Sequence, residues 1–397
     1  MKYCLFILLF FVSGVVFAQS PTNKFQTGAE QTALYLPYLK SKKVGMVINT
    51  TSIIGKQLSV DSLKSLGIDV RKVFAPEHGF RGDYSNGAKV ADSTDPKTGI
   101  PLISLYGKHL KPTPEDLRGL DILVFDIQDV GARFYTYIST LHYVMEACAE
   151  NNLELLVLDR PNPNGFYVDG PVLEEKFKSF IGMHPVPIVH GMTIAEYAQM
   201  INGEGWLQNQ AQCKLKIIKM ANYNHQTVYK LPVKPSPNLN SQQSIYLYPS
   251  LCLFEGTVIS QGRGTYFPFQ VLGSPELKSN YRFSFQPTSI AGMSENPLHL
   301  NKACFGIDLR RYPVEKIRKS QQINLKWLLE LYKAHPDKAS FFDYKKHPQM
   351  GNFDKLAGTD ALKAQIIAGK SEEEIRLSWE PALSQYKLMR KKYVLYP

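Results

Sequence analysis

Asp121-Ile122-Leu123-Val124-Phe125-Asp126-Ile127-Gln128-Asp129 is the stretch on which the reading of this chain turns. Ile122 to Phe125 is apolar without interruption, so both faces of the segment expect burial, as in a central strand of a parallel sheet. The run closes on carboxylates. Val130-Gly131-Ala132-Arg133-Phe134-Tyr135 then leads into a helical pattern reaching about Asn151, and Leu153 to Leu158 is a second apolar strand, closing at Asp159-Arg160-Pro161-Asn162-Pro163-Asn164-Gly165. Strand, helix and strand in this rhythm predict an α/β fold with a mostly parallel sheet.

The same rhythm extends upstream. Lys43 to Thr50 reads as a buried strand, followed by polar Thr51-Ser52 and a helical pattern around Ser59 to Leu66. Val70 to Ala75 is the next strand, stopped by Pro76 and followed by Glu77-His78-Gly79-Phe80-Arg81-Gly82-Asp83. No G-x-G-x-x-G follows the first strand, which argues against a dinucleotide site despite the Rossmann-like order. Three strands thus end at Glu77, Asp126 and Asp159. In an open parallel sheet such ends share one rim, outside which ligands bind. The competing reading of the Glu77 stretch is a polar turn in which Glu77 and Arg81 pair. The polar stretch between Gly79 and Pro101 is long for a plain connection and reads as a binding loop or lid.

Downstream, Thr193 caps a helix running to about Ile201, Lys214 to Met220 alternates as a strand, and Pro232 to Asn240 is a proline-rich extended segment. We place a boundary near Tyr248-Pro249. Beyond it, Phe254-Glu255-Gly256-Thr257 and Gly262-Arg263-Gly264-Thr265 form a second polar cluster, with a guanidinium on a tight turn and neither the lysine nor the spacing of a phosphate-binding loop. Further strands are expected near Tyr281 to Phe285 and Ala303 to Leu309, and helices near Leu325 to Ala334 and Glu372 to Lys391, with Trp327 and Trp379 as core anchors.

The chain of 397 residues, 44% hydrophobic and 20% charged, is long enough for two domains. Its first residues combine Lys2, an apolar run from Leu5 to Phe11 and Val16-Phe17-Ala18, the signature of a secretory leader cut after Ala18. The expected division is a leader over 1–18, an N-terminal domain over 19–248 and a C-terminal domain over 249–397. No cysteine follows the cut, so no lipid anchor is expected, and no later segment has the length of a membrane span. Cys148, Cys213, Cys252 and Cys304 lack zinc-ligand spacing and read as buried thiols. The net charge of +11 suits either an anionic polymer, which for an exported protein is a wall or surface glycan, or a generally basic surface, since the Lys and Arg residues are scattered; they show no nucleic-acid pattern.

Ala75-Pro76-Glu77-His78-Gly79, Asp126-Ile127-Gln128-Asp129-Val130-Gly131-Ala132-Arg133, Asp159-Arg160-Pro161-Asn162-Pro163, Phe254-Glu255-Gly256-Thr257 and Gly262-Arg263-Gly264-Thr265, in this order, resemble the NamZ-type exo-β-N-acetylmuramidases. The resemblance spans about Lys43 to Pro397. It implies a Rossmann-like N-terminal domain, a smaller C-terminal α/β (α+β) domain and a cleft between them. It also implies hydrolysis of the β-1,4 bond that releases N-acetylmuramic acid from the non-reducing end of peptidoglycan fragments, with Glu77 as a catalytic acid.

Glycosidic cleavage asks for an acid at the leaving oxygen and a second carboxylate as base or nucleophile. With Glu77 as the acid, burial beside Phe74 and Phe80 favours its proton while His78 and Arg81 oppose it. Asp126 is the leading partner by position and Glu255 its rival; a third route uses the substrate's own acetamido group, oriented by a carboxylate. His78 either shares in proton transfer or serves the loop. Muramic acid carries a lactyl carboxylate, which a guanidinium fork suits, so Arg81, Arg133 and Arg263 are candidate anchors. Tyr135 and Tyr137 could flank a sugar face, and Asp159 completes the expected substrate contacts. Neither metal nor organic cofactor is expected. Two rivals stand beside this reading: an exported glycan- or muropeptide-binding protein without turnover, and a wall esterase or amidase, for which the G-x-S-x-G elbow is missing.

Overall fold

The computed structural model describes residues 25–77, 79, 81, 93–347 and 350–397. The leader, His78, Phe80 and most of the polar stretch after it lie outside the described residues.

Among the described residues seven strands form the main sheet: β1 (Lys43–Ile48), β2 (Asp69–Ala75), β3 (Ser93–Thr94), β4 (Pro101–Ser104), β5 (Ile122–Asp126), β6 (Glu154–Leu158) and β7 (Lys214–Ile218). Their order is β7-β6-β5-β1-β2-β4-β3, parallel throughout except for the short edge strand β3. From β1 the chain moves one way through β2 to β4, then returns to the other side of β1 with β5. That reversal makes β1 the switch point, and the crevice for ligands is expected above it.

The pleat sorts the apolar side chains. Met46 and Ile48 of β1, Ile122 and Val124 of β5, and Leu156 and Leu158 of β6 enter one core with Tyr35, Leu39, Val60 and Leu63 of the helices Thr32–Leu39 and Ser59–Ser65. Val47, Leu123, Phe125, Leu155 and Val157 point the other way, into a larger core roofed by the helices Tyr137–Glu150 and Ile194–Gly203. The period of two sends alternate residues to opposite faces, so a wholly apolar strand needs helices on both. Thr193 starts its helix with a capping box closed by Glu196.

Strands β8 (Val271–Ser274), β9 (Phe283–Phe285) and β10 (Cys304–Asp308) form a smaller antiparallel sheet in the order β8-β10-β9. The expected boundary residues Tyr248 and Pro249 lie inside the helix Gln242–Leu251, and the larger core continues through this helix to Trp327 and Trp379. The C-terminal helix Glu372–Arg390 packs on the strand Asp169–Val172. The four described cysteines are buried and unpaired, and among the described residues no helix is long and apolar enough to cross a membrane.

Candidate active site

Pro76 has no backbone N–H, so strand pairing along β2 stops there and Glu77 stands clear of the sheet at the strand's carboxyl end. Glu77 is half-buried and lines a cavity of about 180 Å³ above the switch point. Tyr106, two residues beyond β4, lies against it. Burial first, then the charge of Glu77 and a hydrogen bond to it, push the Tyr106 hydroxyl up to about 12.

A second wall comes from the loop after β5. Gly131 has φ +80°, and a Cβ there would sit 2.1 Å from Asn162 Oδ1, so only glycine fits this turn. Asn162 and Asn164 brace the loop, Asn164 donating to the carbonyls of Val130 at 2.9 Å and Ile245 at 3.1 Å. The chain then enters the helix Tyr137–Glu150 with Phe134, Tyr135 and Tyr137 facing the cavity. The rings of Tyr135 and Tyr137 meet edge to face at 4.9 Å, and Tyr135 Oη donates to the Pro235 carbonyl at 2.7 Å. Burial, then the nearby Glu77 charge, raises the Tyr137 hydroxyl above the ordinary phenol range.

The third wall is the second polar cluster. Glu255 sits in the short turn Cys252–Gly256, and its Oε1 accepts from Arg263 Nε at 2.6 Å and Gln261 Nε2 at 3.0 Å. Arg263 projects from a turn whose flanking Gly262 and Gly264 both have φ above +80°, with its guanidinium 5.2 Å from the Phe269 ring centre. The proline-rich segment closes one end through Ser236, Asn238 and Leu239.

The cavity therefore brings together Glu77, Tyr135, Tyr137, Glu255 and Arg263 of the residues expected from sequence, while His78 lies outside the described residues. Asp126 does not line it. It falls on the β5 face shared with Ile122 and Val124, is fully buried, and accepts from Arg160 Nε at 2.6 Å. Arg133 is also turned away: its buried guanidinium donates to four carbonyls, those of Pro171, Val186, Leu356 and Ala357, at 2.7–2.9 Å, leaving no fork for a substrate. Arg81 is held by Asp95 through two contacts of 2.7 Å and by Asp61 at 3.1 Å, and the hydrogen bond from Arg81 draws the Asp95 carboxyl down to about 2. Asp159 is fully enclosed, accepting from Tyr396 Oη at 2.6 Å and from Ala195 N at 3.0 Å. None of these four groups lines the cavity, and each is held by partners elsewhere in the protein. Tyr106, Tyr248, Phe269 and Asn238 were not expected at the site. Only Tyr106 carried a signal, as a residue just past a strand end.

Among the described residues no three His, Cys, Asp or Glu side chains cluster as a metal-binding set. The fold and site define an α/β protein with a two-carboxylate, aromatic-walled crevice at the switch point of a parallel sheet. Residues 44–243 match the N-terminal and residues 246–396 the C-terminal model of the family described as exo-β-N-acetylmuramidase NamZ. The chain belongs to this family. It is 37% identical to the peptidoglycan β-N-acetylmuramidase NamZ of Bacillus subtilis (strain 168), across 98% of this chain and 97% of that protein. Two solved DUF1343 family proteins of Bacteroides fragilis NCTC 9343 share the fold. One has a TM-score of 0.86 and 45% identity over 94% of this chain and 99% of its own; the other has 0.80 and 29% over 95% and 100%.

Proposed function

We propose that this protein is an exo-acting β-N-acetylmuramidase that hydrolyses the β-1,4 bond and releases N-acetylmuramic acid from the non-reducing end of peptidoglycan fragments. The observation that carries the reading is the convergence of Glu77 and Glu255 on one cavity beside Arg263, in a chain of this family. Glu77 protonates the departing glycosidic oxygen. Glu255, approached by donors from Arg263 and Gln261, suits the complementary task, as base, nucleophile or the carboxylate that orients the substrate's amide. Arg263 is the guanidinium placed to read a lactyl carboxylate, and Tyr135 and Phe269 offer apolar faces to a sugar ring. The leader read over 1–18 supports export to the periplasm or beyond. The cavity is lined from both sides of residue 248, by Glu77 and Tyr135 before it and by Glu255 and Arg263 after it.

The test is release of a chromophore from a β-N-acetylmuramic acid glycoside and from its N-acetylglucosamine counterpart, by wild type and Glu77→Gln. Selective turnover of the muramic substrate is expected, with kcat of the variant lower by about a hundred- to ten-thousandfold, the range for loss of a general acid. Folded wild type that binds but turns over neither substrate would instead identify a glycan-binding protein.

A further inference from the structure

The end of the cavity closed by the proline-rich segment is a tight turn, in which Leu239 N donates to the Ser236 carbonyl at 3.1 Å and to Ser236 Oγ at 3.2 Å. Pro237 fixes φ at the second position of this turn. Just before it the Pro235 carbonyl accepts from Tyr135 Oη at 2.7 Å, which holds the segment against the aromatic wall. Asn238 is thereby set into the cavity lining and is only 3% exposed. Its Nδ2 donates to the carbonyl of Met293, a residue outside the lining, at 2.9 Å. A carbonyl takes only a donor, so this contact settles which way the amide is turned. Oδ1 stands on the other edge of the amide, buried, and among the described residues it meets no donor. Leaving a buried acceptor unpaired costs free energy, and such a group in a cavity wall is explained by a ligand that completes it.

We propose that Asn238 Oδ1 accepts from the free 4-hydroxyl of the terminal sugar, which makes Asn238 a residue that specifies the chain end. The inference rests on the exo-muramidase reading. A muramic residue carries its lactyl ether at position 3, so its neutral donors are the 4-hydroxyl, the 6-hydroxyl and the acetamido N–H. Every muramic unit of a strand has the last two. Only the non-reducing end has the first, because within a strand O4 carries the next sugar and has no hydrogen to give. A terminal unit therefore satisfies Oδ1 at the closed end, whereas an internal unit leaves it buried and unpaired.

The test compares the chromogenic β-N-acetylmuramic acid glycoside with its 4-deoxy and 6-deoxy analogues, on wild type and on Asn238→Leu, which keeps the side chain's size and removes the acceptor. Wild type should lose about ten- to a hundredfold in kcat/KM on the 4-deoxy analogue, the range for a hydrogen bond whose acceptor is left buried, and Asn238→Leu should treat parent and 4-deoxy glycoside within about twofold of each other. Wild type that accepts both equally overturns the proposal without any variant. So does an Asn238→Leu slowed on both by one factor, the signature of a loosened loop, or a preference for the 6-hydroxyl that Asn238→Leu erases. Calorimetric binding of the three glycosides to Glu77→Gln gives the same ratios as Kd, with no need of turnover. Inactive wild type would thus count against the proposed function while the Kd ratio still decides the role of Asn238, and no binding of the parent glycoside would overturn both.

Discussion

Asp159 shows what burial does to a single carboxyl. Enclosure raises it to about 7, against the pull of Tyr396 and the Ala195 amide, and the neighbouring Glu196 adds to the rise. The folded protein thus holds a proton at Asp159 that the unfolded chain, with its ordinary carboxyl, has released. Stability from this group is complete below about pH 4 and is lost as pH rises through about 7, amounting at most to about 4 kcal/mol. Asp159→Asn removes the titrating group: its Oδ1 still accepts from the Ala195 amide, and its NH2 meets Tyr396 Oη as a donor where the carboxylate accepted. Its melting temperature should therefore change less between pH 4 and pH 7 than that of wild type, a comparison one calorimetric series makes. Equal slopes would show that Asp159 is ionised in the folded protein.

At the scale of elements, β5 ends in a carboxylate and β2 is followed by one two residues on, yet the two residues have different surroundings. Pro76 breaks β2 before Glu77, freeing that side chain to meet the cavity. Asp126 is still within β5, so the pleat commits it to the face opposite Phe125, where Arg160 from the end of β6 neutralises it. Arg160 also donates to the Ile53 carbonyl at 2.9 Å, tying the first strand-to-helix connection to this pair. Asp126→Asn leaves a buried guanidinium without its counter-charge and should cost about 3–5 kcal/mol of stability. Activity per folded molecule should stay within about threefold of wild type, since the loss acts on the folded population. Chemical denaturation alongside active-site-normalised kcat measures both. A thousandfold loss of kcat without a loss of stability would return Asp126 to the catalytic set.

Across the whole molecule, Arg133 ties the walls of the site to distant chain. It belongs to the loop that presents Phe134, Tyr135 and Tyr137, and its guanidinium reaches the carbonyls of Pro171 and Val186 on one side and of Leu356 and Ala357 on the other. Gly358 allows this approach, as a Cβ there would lie 2.5 Å from Arg133 Nη2. Lysine cannot span four acceptors, and a buried carbonyl left without a donor costs about 1–3 kcal/mol. Arg133→Lys should accordingly lower unfolding free energy by about 3 kcal/mol or more and lower kcat as the wall loosens. Urea unfolding with intrinsic fluorescence tests the first. An unchanged midpoint would mean that the carbonyls find other donors.

The amino-acid sequence by itself determined the sheet and most of its helices, because apolar runs such as Ile122–Phe125 and caps such as Thr193 are local signals that burial and backbone hydrogen bonding read directly. It also marked the strand ends where chemistry could stand, and its ordered motifs pointed to the family. Only the tertiary structure decided which polar group at those ends faces the cavity. Arg81 met Asp61 and Asp95, Arg133 met carbonyls more than two hundred residues away, and Asp159 met Tyr396, pairings between segments far apart in the chain. Glu255 reached Glu77's cavity the same way, through packing of the second polar cluster against the β5 loop. A charged side chain takes whichever partner removes it from water at least cost, and that partner is known only when the chain has closed on itself.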